Sequence, residues 1–127
     1  MNIISYAQNF EDVMLWRALK HIENGFYIDV GAAWPDEGSV TKAFYDLGWH
    51  GINVEPNPEF HRRLQEQRLR DINLRKALAD RSGRMIINYI DNPGLSTLDA
   101  KIAQTHTEAG YKIVPQEIEV TTLARIW

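Results

Sequence analysis

Two carboxylates and a glycine stand at the ends of two predicted strands. Asp29 lies two residues before Gly31 in IDVGAAW, and Glu55 ends the segment INVE further along the chain. In nucleotide-binding α/β proteins, an acid roughly 20 residues beyond such a glycine accepts hydrogen bonds from both ribose hydroxyls. The spacing therefore predicts a nucleoside site formed by Asp29, Gly31 and Glu55.

The loop after the first strand indicates which nucleoside fits. A dinucleotide enzyme needs G-x-G-x-x-G, but beyond Gly31 this chain has Ala33 and Asp36 at the second and third glycine positions. Asp36 and Glu37 make the loop acidic, and residues 21–41 contain no Lys or Arg, so a pyrophosphate would be repelled. S-adenosylmethionine joins an adenosine to positively charged sulfonium and ammonium groups and has no phosphate. It therefore agrees with both the predicted ribose site and the acidic loop better than NAD does.

A parallel sheet would bring these residues together. Three segments predict strands. FYIDV, closed by Gly, and GINVEP, closed by Pro, are apolar runs typical of strands buried on both faces. INLRKALAD predicts a third strand that runs into a turn. MIINYID predicts a fourth strand of undetermined direction, and YKIVPQEIEVT is expected to be extended. Residues 97–109 are expected to be helical, and TLARIW begins a last helix.

Helical patterns alternate with these strands. Asn9 precedes two acids and a fourfold apolar repeat, which predicts a capped helix ending near residues 24–25. A second helix is predicted from Val40 to Leu47, with Gly48 as its left-handed stop. Asn57 followed by Pro58 is the clearest helix start in the chain. Alternating strands and helices with short connections predict a Rossmann-like α/β fold, mostly parallel, with an extra strand or hairpin after the third core strand.

Composition narrows the class of protein. The hydrophobic share of 44% and the length of 127 residues predict one folded domain, and a net charge of −3 argues against nucleic acid held by bulk charge. The chain has no cysteine, which excludes disulfides, thiolate catalysis and sulfur-bound zinc. The four histidines show no ligand spacing, so no metal is expected. No apolar run approaches the ~18 residues of a membrane span, and a cytoplasmic location is expected.

Four segments, in this order, resemble one family. SYAQNFED, GFYIDVGAAWPDEGSVTKAF, GWHGINVEPNP and INLRKALADRSG are similar to the FkbM-type methyltransferases, which are S-adenosylmethionine-dependent O-methyltransferases. The resemblance covers roughly residues 5 to 99 and, more faintly, the VTTL near the end. It implies methyl transfer to an oxygen, with a hydroxyl of a sugar or other secondary metabolite as the acceptor.

The resemblance also implies roles for residues. Asp29 and Gly31 would cradle the methionine half of the cofactor, Glu55 would hold the ribose, and Ala77, near the end of the third strand, would line the adenine. Ser39, in the first turn of the second helix, either contacts the cofactor or simply begins that helix.

Methyl transfer from a sulfonium is an in-line displacement in which a base removes the acceptor's hydroxyl proton. Glu11 and Asp12 are the candidates for this base, because the resemblance places their segment near the pocket. Alternatively, both acids only stabilise the start of the first helix.

The chain departs from the family pattern at its end. The family continues beyond a segment like VTTLARIW into a core strand resembling DFLKIDVEG, whereas this sequence stops at Trp127. We therefore expect residues 1–127 to be one incomplete methyltransferase domain, or a protomer whose sheet a second copy completes. Two alternatives remain, a non-catalytic cofactor-binding or assembly module and an NAD-type domain.

Overall fold

The computed structural model describes residues 3–90 and 113–127. The chain forms two compact units, residues 1–75 and 76–127, each with its own small sheet. The expected α/β architecture, with a parallel sheet and helices between its strands, is confirmed. No helix in the described ranges is long and apolar enough to cross a membrane.

The first unit contains the parallel sheet. Its strands are β1 (Phe26–Val30), β2 (His50–Val54) and β3 (Ile72–Leu74), in the order β1-β2-β3. The helices are α1 (Glu11–Leu19) before β1, α2 (Lys42–Asp46) between β1 and β2, and α3 (Pro58–Gln67) between β2 and β3. The carboxyl ends of all three strands therefore meet at one edge of the sheet.

Local sequence explains two helix boundaries. The Asn57 side chain accepts hydrogen bonds from the backbone N–H groups of Glu59 and Phe60, at 2.9 and 3.3 Å, with Pro58 at the first helical position. Gly48 has a φ of +99°, as a left-handed stop after α2 requires. Both predictions are confirmed.

The predicted start and end of the first helix are wrong. Phe10, not Asn9, occupies the capping position with a φ of +59°, and the helix ends at Leu19 instead of near residues 24–25. The apolar spacing continues beyond Leu19, but the chain turns there, with the Ile22 N–H bonded to the Leu19 carbonyl. The four-residue repeat by itself could not show this turn.

The first strand has the predicted bounds but not the predicted burial. Phe26 and Val30, at its two ends, are 52% and 50% exposed, whereas Val54 of β2 is fully buried. β1 lies at the edge of the described three-stranded sheet and β2 at its centre. Because an apolar run looks the same in both places, the sequence could not distinguish an edge strand from a central one.

The second unit contains an antiparallel pair. β5 (Gly83–Ile90) pairs with β6 (Ile113–Thr121), and the short strand β4 (Ala77–Leu78) runs parallel to β6. Its core is formed by Ile87, Ile118 and Val120. A last short helix, α4, spans Leu123–Ile126. The third predicted strand is thus divided between β3 and β4. The helix expected at residues 97–109 lies outside the described residues.

Candidate functional site

Asp29 and Glu55 lie on the same face of the parallel sheet. The register pairs Asp29 with Asn53, and Glu55 follows two residues later, so the two acids share one side of the pleat. They are close enough to interact, since the charge of Asp29 contributes to raising the pKa of Glu55. The fold therefore brings together two acids that are far apart in sequence, at the edge where parallel α/β sheets bind ligands.

Two backbone groups fix the Glu55 carboxylate. Its Oε1 accepts from the Ala33 N–H at 2.9 Å and its Oε2 from the Asn57 N–H at 2.8 Å. Burial raises the pKa of Glu55, and these two hydrogen bonds oppose that shift. No other described residue donates to either oxygen, and since a carboxylate offers about four acceptor positions, each oxygen can accept one more hydrogen bond. Glu55 is thus held rigidly while keeping the capacity to accept two hydroxyl donors.

The backbone beside Glu55 turns sharply. Gly31 has a φ of +68°, and a Cβ at this position would meet nothing within 4 Å. Ala33 also has a positive φ, of +55°, a conformation that costs a non-glycine residue energy. The Gly31 N–H donates to the Val54 carbonyl at 2.8 Å and anchors the turn. Because an added Cβ would meet nothing, Gly31 borders open space at the end of β1.

A threonine holds Asp29 from the start of α2. The Thr41 hydroxyl donates to Asp29 Oδ2 at 2.7 Å, while no hydrogen bond to Oδ1 is found among the described residues. Burial raises the pKa of Asp29, and the hydrogen bond from Thr41 and the positive charge of Arg68 counteract this. One carboxylate oxygen is therefore positioned and the other can accept a donor.

Arg68 organises the loop beneath this site. The residue is 1% exposed and caps α3, yet its guanidinium reaches the loop between β1 and α2. It donates to the Pro35 carbonyl at 2.9 Å, Ser39 Oγ at 3.0 Å, the Tyr27 hydroxyl at 3.0 Å, Thr41 Oγ1 at 3.2 Å and Asp71 Oδ2 at 3.3 Å.

The sequence did not reveal this role. Arg68 lies in a run of alternating basic and acidic residues typical of a solvated face, and Arg62 and Arg63 do form exposed ion pairs with Glu59. Counting the basic residues in the loop's own segment also missed a cation, because Arg68 reaches the loop from a distant part of the chain. Arg68 thus brings a buried cation to the loop, where it counteracts the raised pKa of Asp29.

Asp71 completes the buried network beneath the sheet. Its carboxylate accepts from the Gly51 N–H at 2.9 Å and the Asn53 amide at 2.8 Å, and the Tyr27 hydroxyl also donates to it. Burial raises the pKa of Tyr27, so this hydroxyl remains a donor at neutral pH. The residue directly before β3 is thereby tied to both β1 and β2.

Asp12 is buried and fully engaged. Its carboxylate accepts from Ser5 Oγ at 2.7 Å and from the N–H groups of Tyr6, Ala7 and Val13 at 2.7, 3.1 and 2.8 Å. Burial raises its pKa, but these four hydrogen bonds outweigh burial and lower the pKa below its ordinary value. A carboxylate with this environment holds a proton poorly. Its role as general base remains a prediction that the geometry does not favour.

The segment held by Asp12 leads to the site. Ala7 forms a parallel bridge with Gly38, whose N–H donates to the Tyr6 carbonyl at 3.0 Å. Asp12 therefore positions residues 5–7, and these hold the loop that follows β1. Glu11 is half-buried and accepts from the Asn9 N–H at 3.1 Å, so it closes the turn before the helix.

The other two predicted cofactor residues differ in placement. Ser39 is buried, and its hydroxyl accepts from Arg68 and from the Lys42 N–H, at 3.0 and 3.1 Å. It therefore lies three residues before α2, not in its first turn, and ties the start of this helix to Arg68. Ala77 lies in β4 of the second unit, opposite Val120 of β6. Its role at the adenine remains a prediction. Within residues 3–90 and 113–127, no three His, Asp or Glu residues are grouped as a metal site requires.

Comparison with known families agrees with this geometry. Residues 29–127 match the family model described as the methyltransferase FkbM domain, so the match begins at Asp29 and covers most of the chain. The chain belongs to the FkbM methyltransferase family. The suspected resemblance is thereby confirmed, and so is a methyltransferase domain in general terms. No curated protein and no solved structure gives a significant match.

The network under the sheet anchors the residues that are predicted to bind the cofactor. A methyltransferase must hold its donor and acceptor in line, and small displacements of the reacting atoms slow the reaction strongly. Asp29, Gly31 and Glu55 are each anchored by groups from other elements. Thr41 anchors Asp29, the Val54 carbonyl anchors Gly31, and the N–H groups of Ala33 and Asn57 anchor Glu55. Arg68 in turn holds Thr41.

Proposed function

We propose that this FkbM domain binds S-adenosylmethionine at the carboxyl ends of β1 and β2 and methylates a hydroxyl oxygen of a small molecule, a sugar in particular. The observation that carries the proposal is the pair of anchored carboxylates, half-buried at Asp29 and buried at Glu55, beside the open turn at Gly31. When bound, the cofactor supplies a methyl group on a cationic sulfur.

The residues fit such a nucleoside. Glu55 presents two fixed oxygens with a free lone pair each, which suits the two hydroxyls of a ribose. The Oδ1 atom of Asp29 is available to an ammonium group, and the charge of this acid favours a cationic ligand. The missing side chain at Gly31 allows a ligand to approach the backbone closely.

A dinucleotide fits less well. The Ala33 N–H, at the position of the second glycine in a dinucleotide fingerprint, is already bonded to Glu55 and does not face a pyrophosphate. The neighbouring acids Asp36 and Glu37 are exposed and would repel phosphate oxygens. These two observations favour the methyl donor over NAD.

A sugar acceptor is supported by one aromatic side chain. Trp34 follows Ala33 directly, is 36% exposed, and packs edge-on against Phe60 with ring centroids 4.5 Å apart. The guanidinium of Arg63 lies 4.9 Å from its ring centroid. An exposed, braced indole next to a nucleoside site is a suitable surface for a sugar ring.

Isothermal titration with adenosylhomocysteine tests the cofactor proposal on the full chain. We expect binding by the wild type, and binding weaker by at least about tenfold in Asp29→Asn and in Glu55→Gln, because each variant loses a charged acceptor. Asp36→Asn is the matched control, since it removes an exposed acid from the same loop, and we expect less than about a twofold change.

The same titration distinguishes the alternatives. Binding of NADH would favour an oxidoreductase, and binding of neither compound would favour a non-catalytic module. Unchanged affinity in both Asp29→Asn and Glu55→Gln would refute the assigned roles. Transfer of a labelled methyl group to a panel of sugars and of non-sugar alcohols then tests the acceptor class. A Trp34→Ala variant with a raised KM for sugars alone would support the role of this indole.

A further inference from the structure

A second hollow lies away from the proposed methyl-transfer site. It has a volume of about 590 Å³, within the range of about 300–1,000 Å³ typical of small-molecule pockets. Asn24 in its wall precedes β1 and Trp49 precedes β2, so the hollow lies where the strands begin, at the edge opposite Asp29 and Glu55. The residues that matter for its chemistry are Trp16, Arg17, Lys20, Glu23, Asn24 and Trp49.

Two tryptophans give the hollow a firm apolar wall. The rings of Trp16 and Trp49 both pack against Phe44, with centroid distances of 5.9 and 4.9 Å. Trp49 also packs closely on the backbone of Gly25, where an added Cβ would lie 2.6 Å from the indole. Because these rings are fixed by their neighbours, the wall exists before any ligand arrives, and little conformational entropy is lost on binding.

Two basic side chains that line the hollow have no ion-pair partner among the described residues. Arg17 lies in the last turn of α1 and Lys20 directly follows the helix, and neither forms an ion pair or a side-chain hydrogen bond within the described part of the chain. On α3, in contrast, Arg62 and Arg63 are both paired with Glu59. Glu23 is the one acid in the wall, so the hollow carries a net positive charge.

We propose that this hollow is a binding site for a small anionic molecule with a flat apolar ring. The ring lies against the indoles of Trp16 and Trp49, and the sulfonate, phosphate or carboxylate group meets Arg17 and Lys20. The site lies at the opposite edge of the sheet from the methyl donor. It is therefore a second site, and it does not depend on the proposed methyl transfer.

Naphthalene-2-sulfonate is a suitable probe, and the indole N–H signals of the protein locate it. The chain has four tryptophans, at positions 16, 34, 49 and 127, and each gives one indole cross-peak in a nitrogen–proton NMR spectrum. We expect the probe to shift the cross-peaks of Trp16 and Trp49 and to leave those of Trp34 and Trp127 in place. Inorganic phosphate at the same concentration, which lacks the ring, should leave all four unchanged.

Charge variants test the anion. The double variant Arg17→Gln/Lys20→Gln should bind naphthalene-2-sulfonate about fivefold to tenfold more weakly than the wild type, and its affinity should depend less on salt. Neutral 2-naphthol should bind wild type and variant alike. The matched control Arg81→Gln/Arg125→Gln removes two exposed cations of the second unit and should bind the probe as the wild type does.

Three results would overturn the proposal. These are no shift of Trp16 or Trp49 at about 5 mM probe, shifts of equal size at Trp34 and Trp127, and equal affinity in the wild type and the Arg17→Gln/Lys20→Gln variant. Circular dichroism checks that this variant folds, and we expect it to, because both side chains are exposed and Gln favours the helix about as well as Arg and Lys do.

Discussion

The parallel sheet differs from the antiparallel sheet in the interactions that it adds to buried apolar residues such as Phe44, Val54 and Leu64. Beneath the parallel sheet lies a buried polar network in which Arg68 and Asp71 connect three strands and a loop. The core of the antiparallel sheet is instead apolar and formed by Ile87, Ile118 and Val120. Hydrogen bonds fix distances and directions, whereas apolar contacts mainly exclude water. The polar network thus suits a unit that must hold ligand-binding groups in place.

Removing Arg68 should have the largest effect. Arg68→Met keeps much of the side-chain volume but leaves the buried carboxylate of Asp71 without its cation, so we expect the free energy of unfolding to fall by about 3–5 kcal/mol. Urea denaturation measures this loss. The exposed Arg62→Met is the control and should cost at most about 1 kcal/mol. Equal losses in the two variants would mean that the buried network contributes nothing special.

The apolar core of the second unit offers a matched pair on one strand. Ile87 is 5% exposed and its neighbour Ile86 is 57% exposed, so the two side chains differ in burial but not in type. We expect Ile87→Ala to cost about 2–5 kcal/mol and Ile86→Ala less than about 1 kcal/mol. Amide hydrogen exchange shows whether the loss is concentrated in β5 and β6. A similar cost at both positions would contradict the assigned core.

A substitution at Asp12 tests whether this single acid holds residues 5–7 beside the loop that follows β1. Asp12→Asn replaces one carboxylate oxygen by an N–H₂ group that faces donors, and we expect a loss of about 1–3 kcal/mol. Because the pKa of Asp12 is lowered in the fold, its stabilising effect is present above its ordinary value of 3.8 and is lost as the pH falls through the lowered pKa. Thermal unfolding at several pH values measures both. Glu11→Gln, which changes a half-buried acid of the same turn, should have a smaller effect.

Ligand affinity should be lost on acidification at a higher pH than an ordinary surface acid pair would give. Burial raises the pKa of Asp29 and of Glu55 above their usual values of 3.8 and 4.5, and the ammonium group and ribose hydroxyls of adenosylhomocysteine bind best to their charged forms. Affinity for adenosylhomocysteine should therefore weaken on acidification at a higher pH than unperturbed carboxyls would give. Titration from about pH 7.5 to about pH 5 measures this. Asp29→Asn should reduce the pH dependence, and an unchanged profile would argue against Asp29.

The smallest effect is expected at the surface of the second unit. Arg84 and Glu117 form a cross-strand ion pair whose side chains are 62% and 61% exposed. Solvent and salt screen such a pair, so Glu117→Gln should change the free energy of unfolding by about 0.2–1 kcal/mol. A loss as large as that of Arg68→Met would remove the contrast between buried and exposed charges.

Much of the fold followed from local signals in the sequence. The bounds of β1, the cap at Asn57, the stop at Gly48 and the positions of Asp29, Gly31 and Glu55 at strand ends depend on neighbouring residues and on strand or helix periodicity. A side-chain oxygen before a proline or an apolar run closed by a glycine has the same physical meaning in any chain.

The tertiary structure decided how those residues are held. Arg68 reaches Ser39 and Thr41 across nearly 30 residues, and Glu55 receives the Ala33 N–H across 22. No local pattern marks such contacts, because they depend on which strands become neighbours and on where each helix ends. Whether a charged side chain is exposed, as at Arg62, or buried, as at Arg68, is therefore settled only when the chain has packed.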